Sequence, residues 1–445
     1  MKFYNRENEL DQLSMIRQRS FGNHSQMTVI TGRRRIGKTK LILKSCEDST
    51  TVYLFVSRSS EATLCKQFSD TVRQSLRAYV PDGITSFVQL FEQIMVIGKT
   101  ESFNLVIDEF QEFFNINSSI FSGMQDVWDR YKDTTNVNFI VSGSVYTLMR
   151  RIFMEYKEPL YGRCDTIIRL RHFSTSVLTL ILSDHYPEYT NDDLLALYTI
   201  TGGVPKYVEL LMERDAFTVN DMIRQVTCEN SIFLDEGLIL LSQEFGKKYG
   251  NYFSILSAIA SGRNTAQQIA QAVGDTNIGG MLMRLEEDYE IIAKKRPILS
   301  KERSQNVRYE ITDNFLRFWF RYVNRNQNLI QMGLNDKLAD ITIADYTTYS
   351  GLMLEMWFRQ RFMEEGQYCN IGSWWNTSKG NNVEQQEVDI IAIPIDKSDP
   401  VLVAEVKRHA KNFKPEWFNE KVKHISDKIL HGYKISPCLL TLDDM

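Results

Sequence analysis

The stretch beginning at Val29, VITGRRRIGKTKL, constrains this chain more than any other. Apolar residues lead into Gly32, the spacing Gly32-x-x-x-x-Gly37-Lys38-Thr39 is that of a P-loop, and KLILKS continues as a helix pattern. Strand, loop and helix in that order leave little freedom locally. The glycines let backbone N–H groups curl around phosphates, the helix N-terminus adds its dipole, Lys38 reaches the β and γ oxygens, and Thr39 ligates Mg²⁺. Gly32, Gly37, Lys38 and Thr39 therefore read as a binding set for ATP with Mg²⁺. Arg33, Arg34 and Arg35 fall at variable positions and read as solvent-facing or stacked near the nucleotide, without a catalytic role.

A chain of 445 residues with 43% hydrophobic content is too long for one core and is expected to form two to four domains. The opening MKFYNRENELDQL is charged, and no later stretch reaches the apolar length needed to span a bilayer, so the expectation is a cytoplasmic protein without membrane contact. Cys46, Cys65, Cys164, Cys228, Cys369 and Cys438 contain no CxxC pair, which argues against a zinc site and a disulfide framework. A net charge of −4 excludes a globally basic nucleic-acid binder but leaves room for a local basic groove.

Further along, NLVIDEF is an apolar run ending in Asp108 and Glu109. A buried parallel strand reads as such a run, and ligand-facing groups sit where the strand ends. Asp108 then suits the Mg²⁺ site and Glu109 suits polarising the water that attacks the γ-phosphate. The run VNFIVSGSVY ends in Ser142, Gly143 and Ser144, a polar strand end suited to sensing the γ-phosphate. In EPLYGRCD, Arg163 follows Gly162 in a short turn, where it serves either a transferring phosphate or a structural salt bridge. TGGVPKYVELL places Gly202, Gly203 and Pro205 before a helix.

Together, FYNRENEL, the P-loop, VIDEFQEF, VSGS, PLYGR and GGVPKY resemble the archaeal-type P-loop ATPase family, a branch of the AAA-like and STAND-like NTPases, over roughly residues 1–240. The resemblance implies an ASCE-type parallel sheet in a core spanning 1–170 and a helical lid spanning 171–245. It gives Arg163 an arginine-finger-like position, serving its own nucleotide or a neighbour's in a homo-oligomer. It also places Gly202 to Lys206 on a lid near the nucleotide, and Phe3, Asn5 and Arg6 near the adenine.

Residues 246–325 read differently. NYFSILSAIASGRNTAQQIAQAVG gives two helical patterns broken at Gly262 and Gly274, NIGGMLMRLEEDYEII a third leading into a strand, and RPILSKERSQNVRYEITD a polar loop between strand-like runs. That is the order of a winged helix-turn-helix. The third helix carries Glu286, Glu287 and Asp288 beside Arg284, whereas the wing holds Lys294, Lys295, Arg296, Lys301, Arg303 and Arg308. Both a DNA contact through the wing and a structural or regulatory module stay open. The run NFLRFWFRYV reads as a buried aromatic helix.

Within 340–445, YSGLMLEMWFRQRF is an amphipathic helix carrying Glu355. SWWNTSKGNNVEQQEVDIIAIPI has a polar turn followed by a strand with Asp389, and DPVLVAEVKRHA is a strand bearing Glu405 and Lys407. Glu405 and Lys407 alternate, so they point to one face. Two carboxylates there can hold a divalent cation, Mg²⁺ or alternatively Mn²⁺, and the lysine can position or deprotonate a water for attack on a phosphodiester. An edge strand with a solvated Glu/Lys pair is the plainer alternative. These motifs resemble the PD-(D/E)xK nuclease superfamily, in the form of a domain fused to many archaeal-type ATPases, although Val388 stands where the eponymous proline would be. The resemblance implies a restriction-endonuclease-like α/β domain with catalytic Glu355, Asp389, Glu405 and Lys407, the metal lying on Asp389 and Glu405. An excess of basic residues follows, Arg408, Lys411, Lys414, Lys421, Lys423, Lys428 and Lys434.

The resulting expectation is a multidomain α/β ATPase in which the nucleotide state governs a Mg²⁺-dependent nuclease acting on DNA. The alternative is a signalling or scaffolding ATPase whose C-terminal domain binds nucleic acid or protein without cutting.

Overall fold

The structure is a computed structural model that describes residues 2–246, 249–301, 303–376 and 386–445. The chain divides into two compact units: Tyr4–His172, and Phe173–Met445 together with the first residues.

The first unit is built on a fully parallel five-stranded sheet. Its strands are β1 (Gln26–Thr31), β2 (Thr51–Phe55), β3 (Phe103–Asp108), β4 (Val137–Gly143) and β5 (Thr166–Arg169), in the order β2-β3-β4-β1-β5. Strands β3 and β4 are buried at every position, which is why both read as continuous apolar runs. A core rich in Phe and Trp, including Phe87, Phe110, Phe113, Phe121, Trp128 and Phe139, packs against the sheet. Because all strands run the same way, Thr31, Phe55, Asp108, Gly143 and Arg169 line one edge, with Thr31 level with both Gly143 and Arg169 and Phe55 level with Asp108. The P-loop leaves from that edge, and the helix Lys38–Ser45 follows it.

The second unit opens with the helices Thr175–His185, Asn191–Thr201, Pro205–Met212, Val219–Thr227 and Ile232–Phe245. Three further helices, Tyr249–Ala260, Ala266–Val273 and Gly279–Glu287, precede the antiparallel pair β6 (Ile292–Lys295) and β7 (Arg308–Ile311), the arrangement of a winged helix. The aromatic run 314–323 is buried as its spacing predicts, although its second half, Trp319–Val323, winds as a π-helix. The helix Asn335–Glu365, 31 residues long, packs against Asn191–Thr201 and Val219–Thr227 and also lies on the C-terminal sheet. That sheet has the order β11-β10-β9-β8, from β8 (Tyr368–Trp375), β9 (Glu387–Pro394), β10 (Val401–Val406) and β11 (Ile435–Leu440). Its first two pairings are antiparallel and β10 with β11 is parallel, so the helix Pro415–Lys428 makes the crossover. The polar turn expected between Trp375 and Glu387 falls largely on 377–385, outside the described residues.

The wing is not free. Ile298 donates its N–H to the Ser373 carbonyl at 2.9 Å and joins the core of the C-terminal sheet beside Trp374, Val388 and Val403. Trp375 Nε1 donates to Asn306 at 2.8 Å, while Arg308 pairs with Glu387 at 2.7 Å and stacks over the Trp375 ring at 4.3 Å. Three residues of the expected wing are thus spent on packing. Lys301 and Arg303 remain exposed.

Among the described residues no helix is long and apolar enough to cross a membrane. All six cysteines are free.

Candidate functional sites

At the P-loop the backbone takes conformations that select its residues. Gly32 and Gly37 have φ of +154° and +90°, and a Cβ on Gly32 would lie 3.1 Å from the Leu170 carbonyl oxygen. Arg35 itself sits at φ +66°. Lys38 is buried and folds its ammonium onto the loop, donating to the carbonyls of Gly32 at 2.7 Å and Arg33 at 3.1 Å. These are the groups a phosphate would relieve of the lysine.

Asp108 ends β3 as the sequence requires and is saturated with donors. Thr39 Oγ1 reaches Oδ2 at 2.9 Å and the Tyr53 hydroxyl reaches the same oxygen at 2.5 Å; Ser142 Oγ and the Glu109 amide, the latter at 2.9 Å, hold Oδ1. Thr39 and Asp108 fit a magnesium ion by donor chemistry, since a hydroxyl and a carboxylate oxygen already meet there. Glu109 has φ +55°, which turns it out of the strand, and its Oε2 accepts from Ser144 Oγ at 2.7 Å and from Gln111. Sequence reasoning missed Gln111 and Tyr53; the first lies in VIDEFQEF without a motif position, and the second lies in TVYLF, where only the strand register shows that it faces Asp108.

The remaining residues expected in this unit are distributed unevenly. Arg6 donates to the Arg171 carbonyl at 2.6 Å, at the same edge as the loop, where Leu170 N bonds the Thr31 carbonyl. Arg163 lies elsewhere. It pairs with Asp129 at 3.3 Å and precedes Asp165, whose carboxylate accepts from the Met27 amide at the start of β1. Five residues of β1 separate that level from Gly32, about 16 Å at roughly 3.3 Å per residue, more than an arginine spans. The structure therefore does not bring Arg163 to its own P-loop. Gly202 and Gly203, at φ +59° and +73°, end the helix Asn191–Thr201, and Pro205 starts the next.

In the second unit, a helix and two strands bring Glu355, Asp389, Glu405 and Lys407 together. Register pairs β10 with β9 so that Ala404 faces Ile390, and one step further sets Glu405 opposite Asp389. Asp389 Oδ2 accepts from the Val406 amide at 2.8 Å and lies 3.7 Å from Lys407 Nζ, which also donates to Glu405 at 2.9 Å. Burial, and then the neighbouring Glu405, push the Asp389 carboxyl above the usual carboxylate range. Burial, and then Asp389, push Glu355 up to about 8 despite its 2.9 Å bond from Arg359. Burial alone would lower Lys407, but Asp389 and the hydrogen-bonded Glu405 hold it above its ordinary value. A residue counted in the sequence only as part of a basic excess, Lys421, joins from the crossover helix and donates to both Glu405 oxygens at 3.2 and 3.1 Å.

Among the described residues no group of three or more His, Cys, Asp or Glu is arranged to hold a metal. Asp389 and Glu405 alone still fit a magnesium ion in kind, because that ion is commonly bound by one or two carboxylates and keeps several waters, and the repulsion that raises Asp389 is what a cation relieves.

Residues 3–211 match an ATPase domain found predominantly in Archaea, and residues 319–418 match archaeal and bacterial proteins of unknown function. An uncharacterized protein of Methanocaldococcus jannaschii is 28% identical over 414 residues, which cover 91% of this chain and 87% of that protein. Among solved structures, the Walker-type ATPase PABY2304 of Pyrococcus abyssi is similar with a TM-score of 0.54 and 16% identity, over 72% of this chain and 96% of the other. The ORC2 protein of Aeropyrum pernix in its ADPNP–ADP complexes is similar with a TM-score of 0.51 and 12% identity, over 77% and 96%. The N-terminal region is thus similar to this ATPase domain, on an α/β fold with a parallel sheet.

Proposed function

We propose that this protein is an ATP-hydrolysing switch whose C-terminal pocket acts on DNA phosphodiesters under the control of the nucleotide. The observation that carries the second half is the convergence of Glu355, Asp389, Glu405 and Lys407 from a helix and two strands, with Glu355, Asp389 and Lys407 each shifted upward by burial or by their charged neighbours.

In the ATPase unit, Lys38 would leave the loop carbonyls for the β and γ oxygens, and Thr39 with Asp108 would hold magnesium, which when bound neutralises charge on the phosphates. Glu109, fixed by Ser144 and Gln111, orients and polarises the attacking water. Arg163, at the opposite edge from its own loop, serves a neighbouring copy in a homo-oligomer. In the C-terminal pocket, Asp389 and Glu405 would hold Mg²⁺ or Mn²⁺, which supplies an activated water. Lys407 would orient an attacking water against the phosphate, and Glu355, which keeps its proton to about pH 8, would give one to the departing oxygen.

Plasmid and linear DNA incubated with Mg²⁺ or Mn²⁺, with and without ATP, provides the test. Asp389→Ala and Lys407→Ala are expected to reduce cutting at least ~100-fold, and Lys38→Ala to change its dependence on ATP. The second reading, binding without cleavage, is favoured by Lys407 and Lys421 both sitting on Glu405, an arrangement that compensates the carboxylate's charge without a metal ion. DNA retained on a filter but uncut under every condition, with ATP hydrolysis intact, would select it.

A further inference from the structure

We propose that Tyr53 is a positioning residue for ATP hydrolysis, holding the Asp108 carboxylate in place beside Thr39. The inference rests on the ATPase reading of the P-loop unit. Asp108 has four donors, two on each oxygen, and they come from four segments: Thr39 and Tyr53 on Oδ2, Ser142 and the Glu109 amide on Oδ1. A P-loop threonine that ligates magnesium does so through an oxygen lone pair, so its single proton can stay on the carboxylate while the ion binds. Of the two donors described on Oδ2, Tyr53 is the one whose oxygen is not assigned to the ion, so it serves the carboxylate alone.

The register makes the role specific to a long side chain. Tyr53 is level with Val106, while Phe55, two residues on, is level with Asp108. The phenol therefore reaches forward about 7 Å along the sheet to meet the carboxylate, at roughly 3.3 Å per residue. A serine or threonine at this position would fall short, and a phenylalanine would fill the space without donating. Tyr53 is half-buried, and its hydroxyl donates directly to Asp108 Oδ2. A hydrogen bond to a charged acceptor is among the stronger kinds, and losing it frees a carboxylate oxygen that must orient the ion's water shell.

The test uses the full chain and its Tyr53→Phe variant, with far-UV circular dichroism confirming that both are folded. Binding of a fluorescent ATP analogue is titrated first in EDTA and then with increasing Mg²⁺, and steady-state hydrolysis is measured alongside. Binding in EDTA is expected to be unchanged, the Mg²⁺ midpoint to rise roughly tenfold, and kcat to fall roughly tenfold with KM for ATP unchanged. A Mg²⁺ midpoint and kcat within twofold of the unsubstituted protein would overturn the role of Tyr53 and leave the ATPase reading standing. Unsubstituted protein that binds the analogue no better than Lys38→Ala would overturn both.

Discussion

Glu355 shows what a single burial decision does to a titrating group. Its folded carboxyl keeps its proton to about pH 8, whereas the unfolded chain releases it in the ordinary carboxylate range. Between those values the folded state binds more protons, so stability falls as pH rises. Chemical denaturation from pH 5 to 8.5 should show that slope in the second unit, and Glu355→Gln should flatten it; an unchanged slope would mean that another group carries it. Gly143 is constrained sterically rather than electrically. A Cβ there would lie 2.3 Å from Gln111 Oε1 and 2.4 Å from Met149 Sδ. Gly143→Ala should cost about 1–3 kcal/mol and displace Gln111 from Glu109, so that hydrolysis falls together with the unfolding midpoint.

At the scale of elements, the wing's attachment separates two uses of its residues. Ile298 is buried in the core of the C-terminal sheet, and Ile298→Ala should destabilise the second unit by about 2–4 kcal/mol in urea unfolding. Lys301 and Arg303 are exposed, and reversing both to glutamate should leave that midpoint within about 0.5 kcal/mol. Equal losses in the two experiments would contradict the docking described. The order of three helices and two strands over residues 249–311 was legible because each carries its own period and breaks. The docking was not, because Ile298 and Arg308 look like any apolar or basic residue of a polar loop until β8 and β9 lie against them.

For the whole molecule, the division at His172 and Phe173 predicts that nucleotide acts first on one unit. ATP at about 100 times its Kd should stabilise the unit Tyr4–His172 by roughly 2.7 kcal/mol, seen as a shift of its unfolding transition and as slowed amide exchange there. Added protection at Asp389 to Lys407 under the same conditions would be the signature of coupling to the C-terminal pocket. Its absence in the presence of normal hydrolysis would leave the ATPase without the control proposed for it.

The sequence alone determined the segments whose chemistry is written in consecutive residues. Gly32 to Thr39, the run ending at Asp108, and the alternation of Glu405 and Lys407 are each set by local geometry: a loop that needs left-handed glycines, a strand buried on both faces, and a side-chain period of two. The tertiary structure decided who meets whom. Tyr53 reaches Asp108 only because β2 and β3 pair in that register. Lys421 reaches Glu405 because a crossover helix packs over the sheet, and Arg163 is drawn to Asp129 at the far edge. Those pairings depend on which apolar faces bury one another across the whole chain, a sum over many distant residues that no short stretch of sequence contains.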